Sequence, residues 1–82
     1  MLTVNVLFFA RAAELVGHRS IVVEMEIGST VDGLKQTLDA RFPDLSGLIG
    51  SSRWAVNSEF VADEHELRDS EQIAMIPPVS GG

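Results

Sequence analysis

The chain's long helical stripe runs from Val31 through Leu34 and Leu38 to Phe42, between a capping residue, Thr30, and a stop, Pro43. A single amphipathic helix has to bury its apolar side against something broad, and the flanking segments supply it by alternating in the manner of strands. Leu2, Val4, Val6 and Phe8 share one face of a first strand, with Thr3, Asn5, Leu7 and Phe9 on the other. Ala10 to Val16 reads as a short helix ended by a left-handed Gly17. Ser20 to Ile27 alternates again, placing Ile21, Val23, Met25 and Ile27 inward and Glu24 and Glu26 outward. Beyond Pro43, Leu45, Leu48 and Ile49 suggest one more helical turn. Trp54 and Val56 then mark a third strand, Asn57-Ser58-Glu59 a turn, Phe60-Val61 a short return strand, and Gln72 to Ile76 the last strand. About five strands with one main helix across a single face make an α+β roll.

The chain has 82 residues, room for one core, and a deep substrate pocket would compete with that core for the same apolar side chains. This favours a binding or carrier module over a self-sufficient enzyme. Twelve acidic residues against six basic ones give a net charge of −6, which repels phosphate backbones and excludes nucleic acid as the expected partner. A basic protein surface fits better. There is no cysteine for a disulfide, a thiolate metal site or a nucleophile, and no apolar run approaches the roughly eighteen residues of a membrane helix. Met1 to Ala10 with Ala10-Arg11-Ala12 superficially suggests a signal peptide. It lacks a basic leading segment and is interrupted by Thr3 and Asn5, so a cytoplasmic location is expected.

The feature that carries chemistry is the ending, Pro77-Pro78-Val79-Ser80-Gly81-Gly82. A terminal carboxylate is ionised at neutral pH and can attack the α-phosphate of a nucleotide. The acyl-adenylate that results is open to sulfur or amine nucleophiles. Glycines let a tail thread a narrow channel because they lack Cβ and accept unusual backbone angles. Pro77-Pro78 provides an extended, semi-rigid base. Chain ends ordinarily fray without function, but fraying requires no Pro-Pro, small residue and two glycines in that order. The expected organisation is therefore a domain over residues 1–76 and a flexible tail over 77–82, with the Gly82 carboxylate as working group.

Leu7-Phe8-Phe9-Ala10 with Glu14-Leu15-Val16-Gly17 is similar to the opening of the small subunits of molybdopterin synthase. Val56-Asn57, Leu67-Arg68-Asp69, Ile73-Ala74 and the tail match that group at similar spacing, so the resemblance runs from Leu2 to Gly82. Two positions depart from it: Ala13 stands where an arginine usually precedes Glu14, and the common Asp-Gly-Asp before the last strand is Asp69-Ser70-Glu71. The resemblance implies a ubiquitin-like β-grasp fold. It also implies a cycle in which an ATP-dependent adenylating enzyme activates Gly82 and a sulfurtransferase converts it to a thiocarboxylate. The tail, Pro77 to Gly82, then enters the large synthase subunit, and its sulfur goes to cyclic pyranopterin monophosphate. The chain itself would hold no cofactor, ATP belonging to the activating partner, and would work in a hetero-oligomer, a heterotetramer with the large subunit.

Strand parity adds a docking surface. Phe9 ends the outer face of the first strand, Ile76 with Ala74 lies on the outer face of the last, and Phe60 begins the return strand, so the three could cluster opposite the helix. Other residues read as structural. His18 and His65 have no second ligand at metal spacing, so no metal site is expected. Asp63, Glu64 and Glu66 read as a solvated loop, and Trp54 as core or half-core. Three other functions share the tail: a thiocarboxylate carrier for thiamin or amino-acid pathways, a protein modifier joined through Gly82 to a lysine, and an interaction domain with an inert end. Lys35 is the chain's single lysine.

Overall fold

The structure is a computed structural model and describes residues 1–78. Strand β1 (Leu2–Phe8) leads into helix α1 (Ala10–Val16) and β2 (Ser20–Met25). Helix α2 (Val31–Arg41), a 3-10 turn (Pro43–Leu45) and α3 (Ser46–Ile49) follow. Strands β3 (Arg53–Val56), β4 (Glu59–Val61) and β5 (Glu71–Ile76) complete it. They form one sheet in the order β2-β1-β5-β3-β4, antiparallel except that β1 and β5 run parallel. The last strand in the chain is thus the central strand of the sheet.

Alternation decides which side of the sheet is covered. Leu2, Val4, Val6 and Phe8 are all buried, and their partners across the ladder, Met25, Val23, Ile73 and Met75, are buried with them. The α2 stripe meets this surface: Val31, Leu34 and Leu38 are fully buried, each contributing about 1.5–3 kcal/mol by leaving water. Phe42 closes the stripe edge-on against Phe8, with ring centroids 6.3 Å apart. Trp54 is buried on the same side, opposite Met75. Gly17 ends α1 at φ 83°, the left-handed conformation expected of it.

Two expectations change, and one element does more than expected. Strand β2 stops at Met25, and Ile27 is 80% exposed rather than inward. The pairing partner of Met25 is Leu2, where β1 begins, so Ile27 has no strand beside it and lies in the turn at Gly28, φ 94°. Pro77 is buried, so it belongs to the folded body instead of projecting from it. The acidic loop after β4 has exposed carboxylates, but its backbone is structural: the carbonyls of Asp63 and His65 accept the N–H groups of Asp32 and Val31 at the start of α2.

Candidate functional site

The face of the sheet opposite the helices carries no covering element among the described residues. Pairing builds a row across it: Leu7 on β1 faces Ala74 on β5, Ala74 faces Ala55 on β3, and Ala55 faces Phe60 on β4. Two alanines in the middle make a low floor, and larger side chains rise around it. The result is a groove of about 310 Å³ whose lining includes Phe9, Phe60 and Ile76. The structure therefore brings together the three residues that strand parity assigned to the outer face. Phe9 is 49% exposed and Phe60 54%, while Ile76 is half-buried.

Backbone geometry aims these walls. Ala10, directly after Phe9, has φ 50°, a left-handed value that costs a residue with a Cβ on the order of 1 kcal/mol. The chain thereby turns from β1 into α1 and leaves the Phe9 ring standing between the groove and a second hollow lined by Ala10, Ala13 and Arg19. At the other lip, Asn57 and Ser58 (φ 51° and 68°) close the β3–β4 hairpin with two consecutive left-handed residues, which suits the sheet's twist. No acidic side chain among the described residues lines the groove. In a chain of net charge −6, this is a largely apolar, carboxylate-free area that also takes in the polar Asn57, Ser58 and Gln72.

The same central strand leads toward the expected tail. Ile76 is the last residue of β5, followed by buried Pro77 and exposed Pro78. The expected site residues Val79, Ser80, Gly81 and Gly82 lie outside the described residues. Among those described, no group of three or more His, Asp or Glu side chains could hold a metal ion, and no helix is long and apolar enough to cross a membrane.

Two arrangements escaped the sequence reading. Arg53, opposite Ile76 in the β3–β5 ladder, lays its guanidinium over the Phe60 ring, 3.7 Å from the centroid. The alternation that put Trp54 and Val56 in the core places Arg53 and Ala55 outward, so parity could have found it. His65 meets Glu71 at 3.5 Å near Arg68, and the Arg68 N–H donates to the other Glu71 oxygen at 3.2 Å. This pair ties the loop to the start of β5 and lies in a different hollow, lined also by Val56 and Val61.

Chemically, such a surface binds. Among the described residues it offers a carboxylate-free trough beside the end of β5 and no nucleophile–base pair. Residues 6–82 match the ThiS family. The chain is 37% identical over 84 residues to the molybdopterin synthase sulfur carrier subunit of Caenorhabditis briggsae, with 100% of both chains covered. Among solved structures it is similar to a putative molybdopterin converting factor, subunit 1, from Pyrococcus furiosus: TM-score 0.88, 25% identity, 96% of this chain and 100% of that one. It is also similar to the small archaeal modifier protein 1 of Methanosarcina acetivorans: TM-score 0.83, 27% identity, 100% of this chain and 98% of that one. The helix-backed five-stranded sheet is a ubiquitin-like β-grasp. Matched through residue 82 and aligned end to end with a relative above 30% identity, the chain belongs to the ThiS family.

Proposed function

We propose that the chain is the sulfur carrier subunit of a molybdopterin synthase and that the Gly82 carboxylate is its working group. The observation that carries this reading is the end-to-end match to a protein of that name, in a family match that runs through Gly81-Gly82. In the loading step a Gly82 carboxylate oxygen attacks the α-phosphate of ATP on the activating enzyme, and pyrophosphate leaves. Sulfide-level sulfur supplied through a sulfurtransferase then attacks the acyl carbon, the C–O bond to AMP breaks, AMP leaves, and a thiocarboxylate remains. The domain docks through the open face on the large subunit, and residues from Pro78 onward enter that subunit's pocket. There the sulfur passes to cyclic pyranopterin monophosphate. Catalytic side chains belong to the partners, which accords with a described surface built for binding. The need for ATP fits a cytoplasmic cycle.

The modifier reading has the same activated intermediate and differs in the acceptor; likeness to the archaeal modifier protein is what favours it. Self-linked chains of that kind would need Lys35, whose ammonium is held by both Asp63 oxygens at 3.1 and 3.2 Å and whose side chain is only 18% exposed.

Intact-mass measurement tests the carrier reading. After incubation with a cell extract, ATP and a sulfur source, the full chain is expected to show the mass change of one oxygen-to-sulfur exchange. A chain lacking Gly82 is expected to show none, with an unchanged melting temperature. The same exchange in the shortened chain would end the assignment of Gly82.

A further inference from the structure

We infer that Arg53 is a specificity-determining residue of the docking face, reading a carboxylate on the partner that seats an apolar side chain in the groove. The inference rests on the carrier reading and adds to it the partner's chemistry at one point.

Arg53 shares the outer face with Ile76, because residues directly opposite in an antiparallel ladder point the same way. It therefore sits beside the strand end from which the tail leaves. Its guanidinium lies over the Phe60 ring at 3.7 Å, a separation at which the cation and the ring's negative face attract. Stacking uses one face of the planar group and leaves its edges, where the N–H donors lie, directed outward. Among the described residues no hydrogen bond or ion pair engages those donors, which is also true of the Arg19, Arg41 and Arg68 side chains; what sets Arg53 apart is its place over Phe60 on the open face. A long side chain that the ring already holds in place loses little freedom when it binds, so its fork is set for a bidentate carboxylate.

Charge complementarity selects the occupant. The chain is acidic overall, yet the groove lining has no acidic side chain, and Arg53 puts a positive charge at its Phe60 wall. A uniformly basic partner would meet Arg53 as a repulsion at the Phe60 edge of its contact. The partner that fits is basic around its rim, apolar where it enters the groove, and carries an Asp or Glu beside that apolar residue. A desolvated like-charge contact is costly, so the arrangement discriminates between partners as well as adding affinity.

The probe is the molybdopterin synthase large subunit encoded in the same genome, titrated by calorimetry with the full chain and with Arg53→Leu, Arg53→Lys, Arg53→Glu and Phe9→Asp. Thermal melts check that each variant is folded. We expect Arg53→Leu to bind about tenfold more weakly than the unaltered chain at roughly 0.05 M salt, with the ratio shrinking at roughly 0.5 M as screening removes the charge contact. Arg53→Lys should fall between the two, since it keeps the charge and loses the fork. Arg53→Glu should bind more weakly than Arg53→Leu. The inference is overturned if Arg53→Leu binds within twofold of the unaltered chain while Phe9→Asp is weakened, because the groove would then dock without Arg53. It is also overturned if Arg53→Glu equals Arg53→Leu or the ratio is independent of salt, since Arg53 would then act only by packing on Phe60. No binding by the unaltered chain would overturn it together with the proposed partner. Thiocarboxylate formation in the mass experiment separates the two readings: a chain that loads normally but shows one of the first two results remains a carrier without this contact.

Discussion

At Ser70 the backbone turns through φ 66° immediately before the central strand. The turn is stapled to the start of β1: the Asp69 carboxylate accepts the Thr3 N–H at 2.9 Å, and the Ser70 N–H donates to the Thr3 carbonyl at 2.7 Å. This is the position where similar chains carry the glycine of Asp-Gly-Asp, and the geometry explains that preference, because a left-handed residue with a Cβ is strained. Ser70→Gly relieves about 1 kcal/mol of strain and gives part of it back as extra freedom in the unfolded chain. We expect a net gain of about 0.5 kcal/mol, seen as a rise of roughly 2–4 °C in the melting temperature by circular dichroism. A lower melting temperature would show that the serine side chain more than offsets the strain. The sequence displayed the departure but not its cost, since φ at Ser70 follows from hydrogen bonds to a residue near the other end of the chain.

Helix α2 shows how an element depends on distant parts. Its first backbone donors lack partners within the helix and need others. Thr30 Oγ1 accepts the Gly33 N–H at 3.4 Å, as its place in the sequence suggests. The N–H groups of Val31 and Asp32 go to the carbonyls of His65 and Asp63, each at 3.0 Å, and a bridge between Thr30 and Glu66 fixes the loop alongside. Asp63 serves through its backbone, while its carboxylate makes a half-exposed pair with Lys35, a class worth roughly 0–1 kcal/mol. Chemical denaturation should therefore rank the two truncations. Thr30→Ala is expected to cost about 1 kcal/mol, and Asp63→Ala less than about half of that. The reverse order would mean that the Lys35–Asp63 pair contributes more to stability than the Thr30 cap.

Over the whole molecule, the sheet order makes β5 central, and on the proposed carrier reading the working tail follows the end of that strand. Ordering residues 78–82 in a partner's channel costs on the order of 1 kcal/mol each before any contact forms, so the folded body has to offset it. Burying roughly 400 Å² of the open face returns about 10 kcal/mol before association costs. Phe9→Asp and Ile76→Asp put a charge into that face without touching the core, which lies on the other side of the sheet. Each variant is expected to stay folded and to bind the large subunit at least tenfold more weakly, a loss of about 1.4 kcal/mol. Unchanged affinity in both, measured by titration calorimetry, would move the docking surface elsewhere on the domain.

What the sequence determined by itself was local. The alternation of Leu2 to Phe8, the stripe from Val31 to Leu38, the caps at Thr30 and Gly17 and the composition of the tail are each written within a few residues, because periodicity and backbone chemistry act over that range. They also said which face of each strand is apolar, and hence that Phe9, Phe60 and Ile76 belong outside. Tertiary structure decided neighbours. Ile27 leaves the core because β1 starts too late to pair with it, and β5 becomes central by running parallel to β1. Pairing across β1, β5, β3 and β4 then turns separated outward residues into one groove with Arg53 over Phe60. Pairing partners far apart in the chain leave no periodic trace in it; backbone hydrogen bonding selects them only when the sheet assembles around the helix.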